Sequence, residues 1–277
     1  MELKQNPFSF YDFLGYFTPG AILLYLAAYF SKTIWPDAPS FQELAAQAGL
    51  DKAEAYVPFI LFAYAIGHVL SFVSSVTVER YSIWAMGYPS KYLLGVEHNG
   101  YFASEKHRVL RATIRSLVFV ALLPISAMDF VFGKLFGMRD LYAKPLDNLL
   151  IKIIRDKVDS LIQTRGGLAD PRLHGTTSNS DFFRFAYHYA VENAPHHFPK
   201  MQNYVALFGF LRNVALILVL VFWPVAYAVA KGLVAWQVLA VLVLVSYLCF
   251  MAFVKFYRRF CLEALMATAV TFPKPAT

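Results

Sequence analysis

Four stretches of this chain stay apolar for about 20 residues or more, the length a helix needs to cross the hydrocarbon of a bilayer. Nothing else in the sequence restricts the fold so strongly. Charged residues make up 16% of the 277, against about 25% in an ordinary soluble domain. The deficit is concentrated in those stretches, as lipid-exposed helices require. Many of the 26 Phe and 17 Tyr lie near the ends of the runs, where interfacial rings are favoured. The chain reads as an all-α integral membrane protein, with four transmembrane helices and a mainly helical cytoplasmic domain.

The first span falls within residues 1–35 and runs from about Phe13 to Ile34. Pro19-Gly20 in its first half is a place for a kink. Asp12 interrupts the approach to the run and no small-residue cleavage site follows, so it reads as an uncleaved anchor. Tyr11, Tyr16 and Trp35 suit the interface. Residues 36–55 form a short loop with Asp37, Glu43, Asp51 and Glu54 against Lys52, and Phe41 to Ala48 suits a small amphipathic helix. The second span occupies residues 56–78 and ends at Glu79 and Arg80. Two further spans, Tyr204 to Ala230 and Leu233 to Val254, meet at Lys231-Gly232 and predict a tight antiparallel hairpin over 204–254. The tail, 255–277, opens with Lys255, Arg258 and Arg259.

Charge sets the expected topology. Short basic flanks stay in the cytoplasm. The 36–55 loop is the least basic, so it is expected in the periplasm, with both termini and residues 79–203 cytoplasmic. The apolar run Ser116 to Met138 holds Pro124, Asp129 and Lys134, and has Arg111, Arg115 and Arg139 at its flanks. A single crossing there would break the parity, so 116–138 is expected as one apolar helix lying in the interface or packed under the domain; a fifth span is the alternative.

Within 79–203, Asn99-Gly100 marks a turn and Pro145 opens a helix through about Thr164. Its apolar face carries Leu146, Leu149, Leu150, Ile153, Ile154, Val158, Leu161 and Ile162 at helical spacing. A Gly/Ser/Thr-rich loop, 165–180, precedes a second helix that ends before Pro195.

Two constellations invite function. Ala63, Gly67, Ser71 and Ser75 recur every four residues on the second span, as close helix packing within or between subunits needs. Tyr64 and His68 border that stripe, and with Ser71 and Ser75 they could line a water-filled path or bond to neighbouring helices. The net charge of +7 is the other. Arg108, Arg111, Lys152, Arg155, Arg165, Arg172 and Arg184 could hold an anionic ligand through charge-assisted hydrogen bonds; contact with anionic lipid is the plainer reading for many of them. Arg80, Arg212 and Asn213 lie where the domain meets the spans, at a place suited to transmit a change. His188, His196 and His197 near Glu192 lack metal-site spacing. Arg165-Gly166-Gly167 lacks the ending of a phosphate loop, and no G-x-S-x-G nucleophile motif occurs. Cys249 and Cys261 read as packing residues. No catalytic residue and no cofactor is expected.

Phe10-Tyr11-Asp12-Phe13-Leu14-Gly15-Tyr16 with Thr18-Pro19-Gly20, Gly67-His68-Val69-Leu70-Ser71 and Gly209-Phe210-Leu211-Arg212-Asn213 together resemble a group of bacterial inner-membrane proteins, some encoded beside anti-phage defence genes. The membrane effector of the Hailong defence system, a channel held shut by a short DNA oligomer, is a relative to which the resemblance points. The likeness covers the spans and carries over no ligand residue. It implies an oligomeric inner-membrane effector or ion channel, gated at its cytoplasmic domain by a nucleotide or short DNA ligand. A non-conducting anchor that recruits a cytosolic partner protein is the alternative, and a lipid enzyme the third class.

Overall fold

The computed structural model describes residues 12–34, 56–98, 100–103, 108–141, 143–167 and 181–273, with isolated positions in the loop between 35 and 55. The expected amphipathic helix at Phe41 to Ala48, the ring positions Tyr11 and Trp35, most of the 165–180 loop and Arg172 lie outside these residues. Every regular element among the described residues is helical. Four helices are long and apolar enough to cross a membrane, namely Phe13–Lys32, Val57–Tyr92, Phe198–Ala230 and Trp236–Thr271. Only 17, 22, 44 and 33% of their most apolar windows is buried within the chain. In water so much exposed apolar surface would be far beyond what a monomer shows, so lipid is the solvent that fits these helices. The chain is a multi-pass membrane protein.

By internal packing the chain divides into two compact units, one of Met1–Tyr81, Ser116–Val131 and Gly209–Phe253, the other of Ser82–Arg115, Phe132–Phe208 and Val254–Thr277. The first is here called the spanning unit. It starts with a π-helical turn, Phe13–Phe17, that leads into α1, Thr18–Ile34. Helix α2, Tyr56–Ser74, is followed by a second π-helical turn, Ser75–Glu79, and by α3, Arg80–Met86. The small residues of α2 are used inside the subunit. An added Cβ on Gly20 would come 1.8 Å from the Ala63 carbonyl oxygen, and one on Gly67 would come 1.9 Å from that of Tyr16. Two glycines therefore let the first two spans cross backbone to backbone. In lipid that contact is held by van der Waals packing rather than by water exclusion.

The 116–138 run is not one helix. Helix α5, Arg108–Ala121, and α6, Leu123–Met128, with the π-helical turn Asp129–Leu135 that follows, are bent by 90° at Leu122. The cause is Pro124, whose ring excludes the preceding carbonyl and which lacks an N–H to continue the ladder. The carbonyls freed by the break are re-paired. Ser126 Oγ donates to the Phe119 oxygen at 2.8 Å, and Trp223 Nε1 to the Ala121 oxygen at 3.2 Å. Backbone at membrane depth needs such replacement donors.

The second unit, here the helical unit, contains α4, Pro89–Tyr92, α7, Asn148–Gly166, and α8, Phe183–Asn193. Asp147 caps α7 by accepting from the Leu149 and Leu150 amides at 3.0 Å, and Gly167, at φ +69°, ends it in the left-handed conformation. The helix thus begins after Pro145 rather than at it. Ile154, Val158, Leu161 and Ile162 are buried as their spacing predicts, whereas Leu149 and Ile153 are exposed.

Helix α9, Phe198–Ala230, and helix α10, Trp236–Thr271, contribute residues to both units. Their connection is 231–235, longer than the two residues expected; Gly232, at φ +72°, lets the Leu233 amide donate to the Ala228 carbonyl at 2.9 Å. The segment 255–277, expected as a tail, is corrected by the structure. The helix continues past Lys255, Arg258 and Arg259 to Thr271. Cys261, Leu265 and Ala269 join Ile154, Val158 and Phe182 in one core cluster, and Ala264 and Ala267 join Ala190 and Met201 in another. A cytoplasmic-domain candidate bounded at 203 therefore omits a helix that supplies much of its core. The apolar period survives the three basic residues, because long cationic stems can lie along a surface while the opposite face stays apolar.

Candidate functional site

The most polar place in the spanning unit is built around Arg212 and Asn213, on the part of α9 that belongs to it. Arg212 is 8% exposed and Asn213 is fully buried. The guanidinium bonds through all three of its nitrogens. Nε donates to Ser74 Oγ at 2.9 Å, Nη2 to the Ser71 carbonyl and to Ser71 Oγ, both at 3.2 Å, and Nη1 to the Glu79 carboxylate. Asn213 Oδ1 accepts from Ser74 Oγ at 2.5 Å, and Nδ2 donates to the Gly15 carbonyl at 2.9 Å.

The last bond has a cause in the sequence. A helical proline leaves unpaired the carbonyl four residues before it. Pro19 does this to Gly15, and the Asn213 amide supplies the missing donor. Just before the proline lies the π-helical turn Phe13–Phe17, which carries Gly15. Glu79 closes a second π-helical turn, Ser75–Glu79. Two such turns, which mark functional sites disproportionately, thus flank one buried Arg–Asn pair. The site ties the first span, the second span and α9 together.

Tyr16 joins the first two spans on the adjacent face. Its ring stacks on His68 at 3.9 Å between centroids and meets Tyr64 edge-on at 6.3 Å. Ser75 Oγ bonds back to the Phe72 carbonyl at 2.7 Å. So Tyr64, Gly67, His68 and Ser71 all make contacts within the spanning unit, and Ser75 satisfies itself on its own helix. Deeper in this unit, Tyr81 donates to the fully buried Asp129 at 2.8 Å.

Of the three expected junction residues, Arg212 and Asn213 are central and Arg80 is exposed; its neighbour Glu79 holds the charge that matters. Sequence reading missed Glu79 as a partner, although a carboxylate at the end of one span and an arginine near the start of another was the available signal. The basic residues of the helical unit do not converge. Arg111, Lys152, Arg165 and Arg184 are exposed, on three helices, and Arg184 pairs with Asp181 at 3.3 Å. Arg155 is half-buried and its Nη2 donates to the Leu94 carbonyl at 2.6 Å. Arg108 opens α5.

His197 pairs with Glu263 at 2.8 Å rather than with Glu192, and Lys200 reaches the other oxygen of Glu263 at 2.7 Å. Among the described residues no three His, Cys, Asp or Glu side chains gather as a metal site. A cleft of about 300 Å³ in the helical unit is lined by Trp84, Tyr88, Lys91, Glu97 and His98, among others; of the basic candidates, Arg111, Lys152, Arg155, Arg165 and Arg184 are not in its lining. Beside it, Arg115 lies over the Trp84 ring at 5.3 Å, and its carbonyl accepts from the Tyr101 hydroxyl at 2.8 Å. Burial pushes the Tyr101 phenol up to about 12 even though the Arg115 guanidinium pulls it down. The phenol therefore remains a hydrogen-bond donor at neutral pH, and that contribution is lost only as pH rises from its ordinary range through about 12.

Comparison with protein-family models, curated proteins and solved structures finds no match.

Proposed function

We propose that this chain is an oligomeric membrane effector, of bacterial inner-membrane type, whose permeability is switched by an anionic, nucleotide-like ligand bound by the helical unit. The observation that carries the reading is the Arg212–Glu79 pair with its buried amide partner. A charge at the edge of a span is expensive and marks a functional site by default. Here all three nitrogens of the guanidinium are engaged, so the arrangement suits a latch that holds the first two spans to α9. A ligand could open it only by binding the unlatched state more tightly than the latched one. The cleft at Lys91 is the better candidate for the ligand than the scattered arginines, because its groups converge on one concavity.

A specific observation favours the alternative, a non-conducting anchor for a cytosolic partner. Most of the polar line of the second span, which would have bordered a pore, is in contact with the first span and α9, and Ser75 bonds to its own helix. Ion flux through purified protein in liposomes separates the two. The effector reading predicts flux that changes on adding nucleotides or short DNA oligomers, and that Lys91→Glu abolishes the response while Lys152→Glu leaves it. Absence of flux with every such ligand, and with Arg212→Ala unlatching the spans, would leave the anchor.

A further inference from the structure

Helix α5 is oriented against the usual rule for a surface helix. Its large apolar side chains Val109, Leu110, Ile114, Leu117 and Val120 are 44 to 80% exposed. At 100° per residue they fall on one side of the helix, and Arg108, Arg111 and Arg115 fall on another. Arg115 is turned inward. Its Nη1 donates to the Tyr101 and Ala103 carbonyls, and its guanidinium covers the Trp84 ring. A water-facing amphipathic helix buries its apolar stripe and exposes its charges; α5 pins an arginine into the protein and leaves the stripe open.

Three facts identify what covers the stripe. The residues after Arg115 belong to the spanning unit, so the exposed stripe is continuous along one helix with surface that lipid already solvates. The 90° bend at Leu122 keeps α5 and the helix after it from forming one straight span. Each half, Val109–Ala121 and Leu123–Leu135, is roughly 20 Å long at 1.5 Å per residue, too short to cross about 30 Å of hydrocarbon alone. We infer that α5 lies along the membrane surface, with Leu110, Ile114 and Leu117 sunk into the headgroup–acyl boundary of a lipid leaflet. This rests on the membrane reading of the four spans. It moves the interfacial element from 116–138 to Arg108–Ala121 and makes the segment after it a re-entrant turn.

The test uses the full chain in lipid vesicles, with Cys249→Ala and Cys261→Ala as background and single spin labels at Leu110→Cys, Leu117→Cys and, as a span reference, Leu244→Cys. The three labelled positions are exposed, whereas Cys261→Ala trims a buried core side chain, so the unlabelled background is first matched to the native chain in its unfolding midpoint. Depth is read from collision with oxygen against a water-soluble nickel chelate. The expected result places labels 110 and 117 in lipid at the same shallow depth, with 244 deeper. Labels 110 and 117 differing by about 10 Å in depth would show a crossing helix and overturn the inference. So would labels shielded from both reagents and broadened by a second copy, or labels in water while 244 is in lipid. A water-exposed label at 244 as well would end the membrane reading itself, and this inference with it.

Discussion

Arg212 has four acceptor groups and one charge partner, and removing either side of that pair leaves the other charge stranded. Breaking a buried ion pair costs about 3–5 kcal/mol. Arg212→Met and Glu79→Met should each lower the unfolding free energy in detergent by that order, while the double variant recovers much of the loss because no unpaired charge remains. Additive losses would show that the two residues act separately. Asn213 carries a smaller share. Asn213→Leu strands the Gly15 carbonyl and should cost about 1–3 kcal/mol. The pair Gly20 and Gly67 is stricter, since a methyl group at either position would overlap a carbonyl oxygen at under 2 Å. Gly67→Ala must push the first two spans apart, with overpacking on the order of 1–3 kcal/mol; a disulfide-trapping rate unchanged between flanking cysteines on the two helices would contradict that crossing.

At the scale of elements, the continuation of α10 to Thr271 is the part that matters most for the helical unit. Leu265 is fully buried in its core, and Leu265→Ala should cost about 2–5 kcal/mol. Ending the chain at Val254 should leave α7 and α8 without their packing surface and open to protease; an intact, protease-resistant helical unit in the shortened chain would refute the shared core. Two polar contacts fasten the same helix: Thr268 Oγ1 to the Ala186 carbonyl and Lys157 Nζ to the Phe272 carbonyl, both at 2.8 Å. The four long helices were legible in the sequence because twenty apolar residues in a row leave few alternatives. The face of α7 that holds Ile154 and Val158 was legible from its period. What the sequence concealed was tertiary. A run of Lys255, Arg258 and Arg259 reads as a stop, yet the opposite face of the helix stays apolar and keeps going. Pro19 announced an unpaired carbonyl at Gly15, and its donor comes from a residue nearly two hundred positions away, Asn213. Pro124 within an apolar run did signal a break, but the right angle depends on Ser126 and Trp223 re-pairing the freed carbonyls. The small-residue stripe Ala63, Gly67, Ser71 and Ser75 was visible; that its Ala63 and Gly67 serve the first span of the same chain follows only from their close approach to Gly20 and Tyr16.

For the whole molecule, every functional statement depends on whether α9 passes from one side of a bilayer to the other. Its 33 residues span about 50 Å at 1.5 Å each, enough for the hydrocarbon and a further turn or more at each end. Arg212 and Asn213 then fall near the middle of its length, and Lys231 just beyond its C-terminal end. The direct measurement is labelling of single cysteines, Asn193→Cys before α9 and Lys231→Cys after it, with a membrane-impermeant maleimide in sealed vesicles of the two orientations. Both side chains are exposed. The account predicts that each cysteine is labelled in one orientation only and that the two require opposite orientations. Labelling of both from the same side would contradict it.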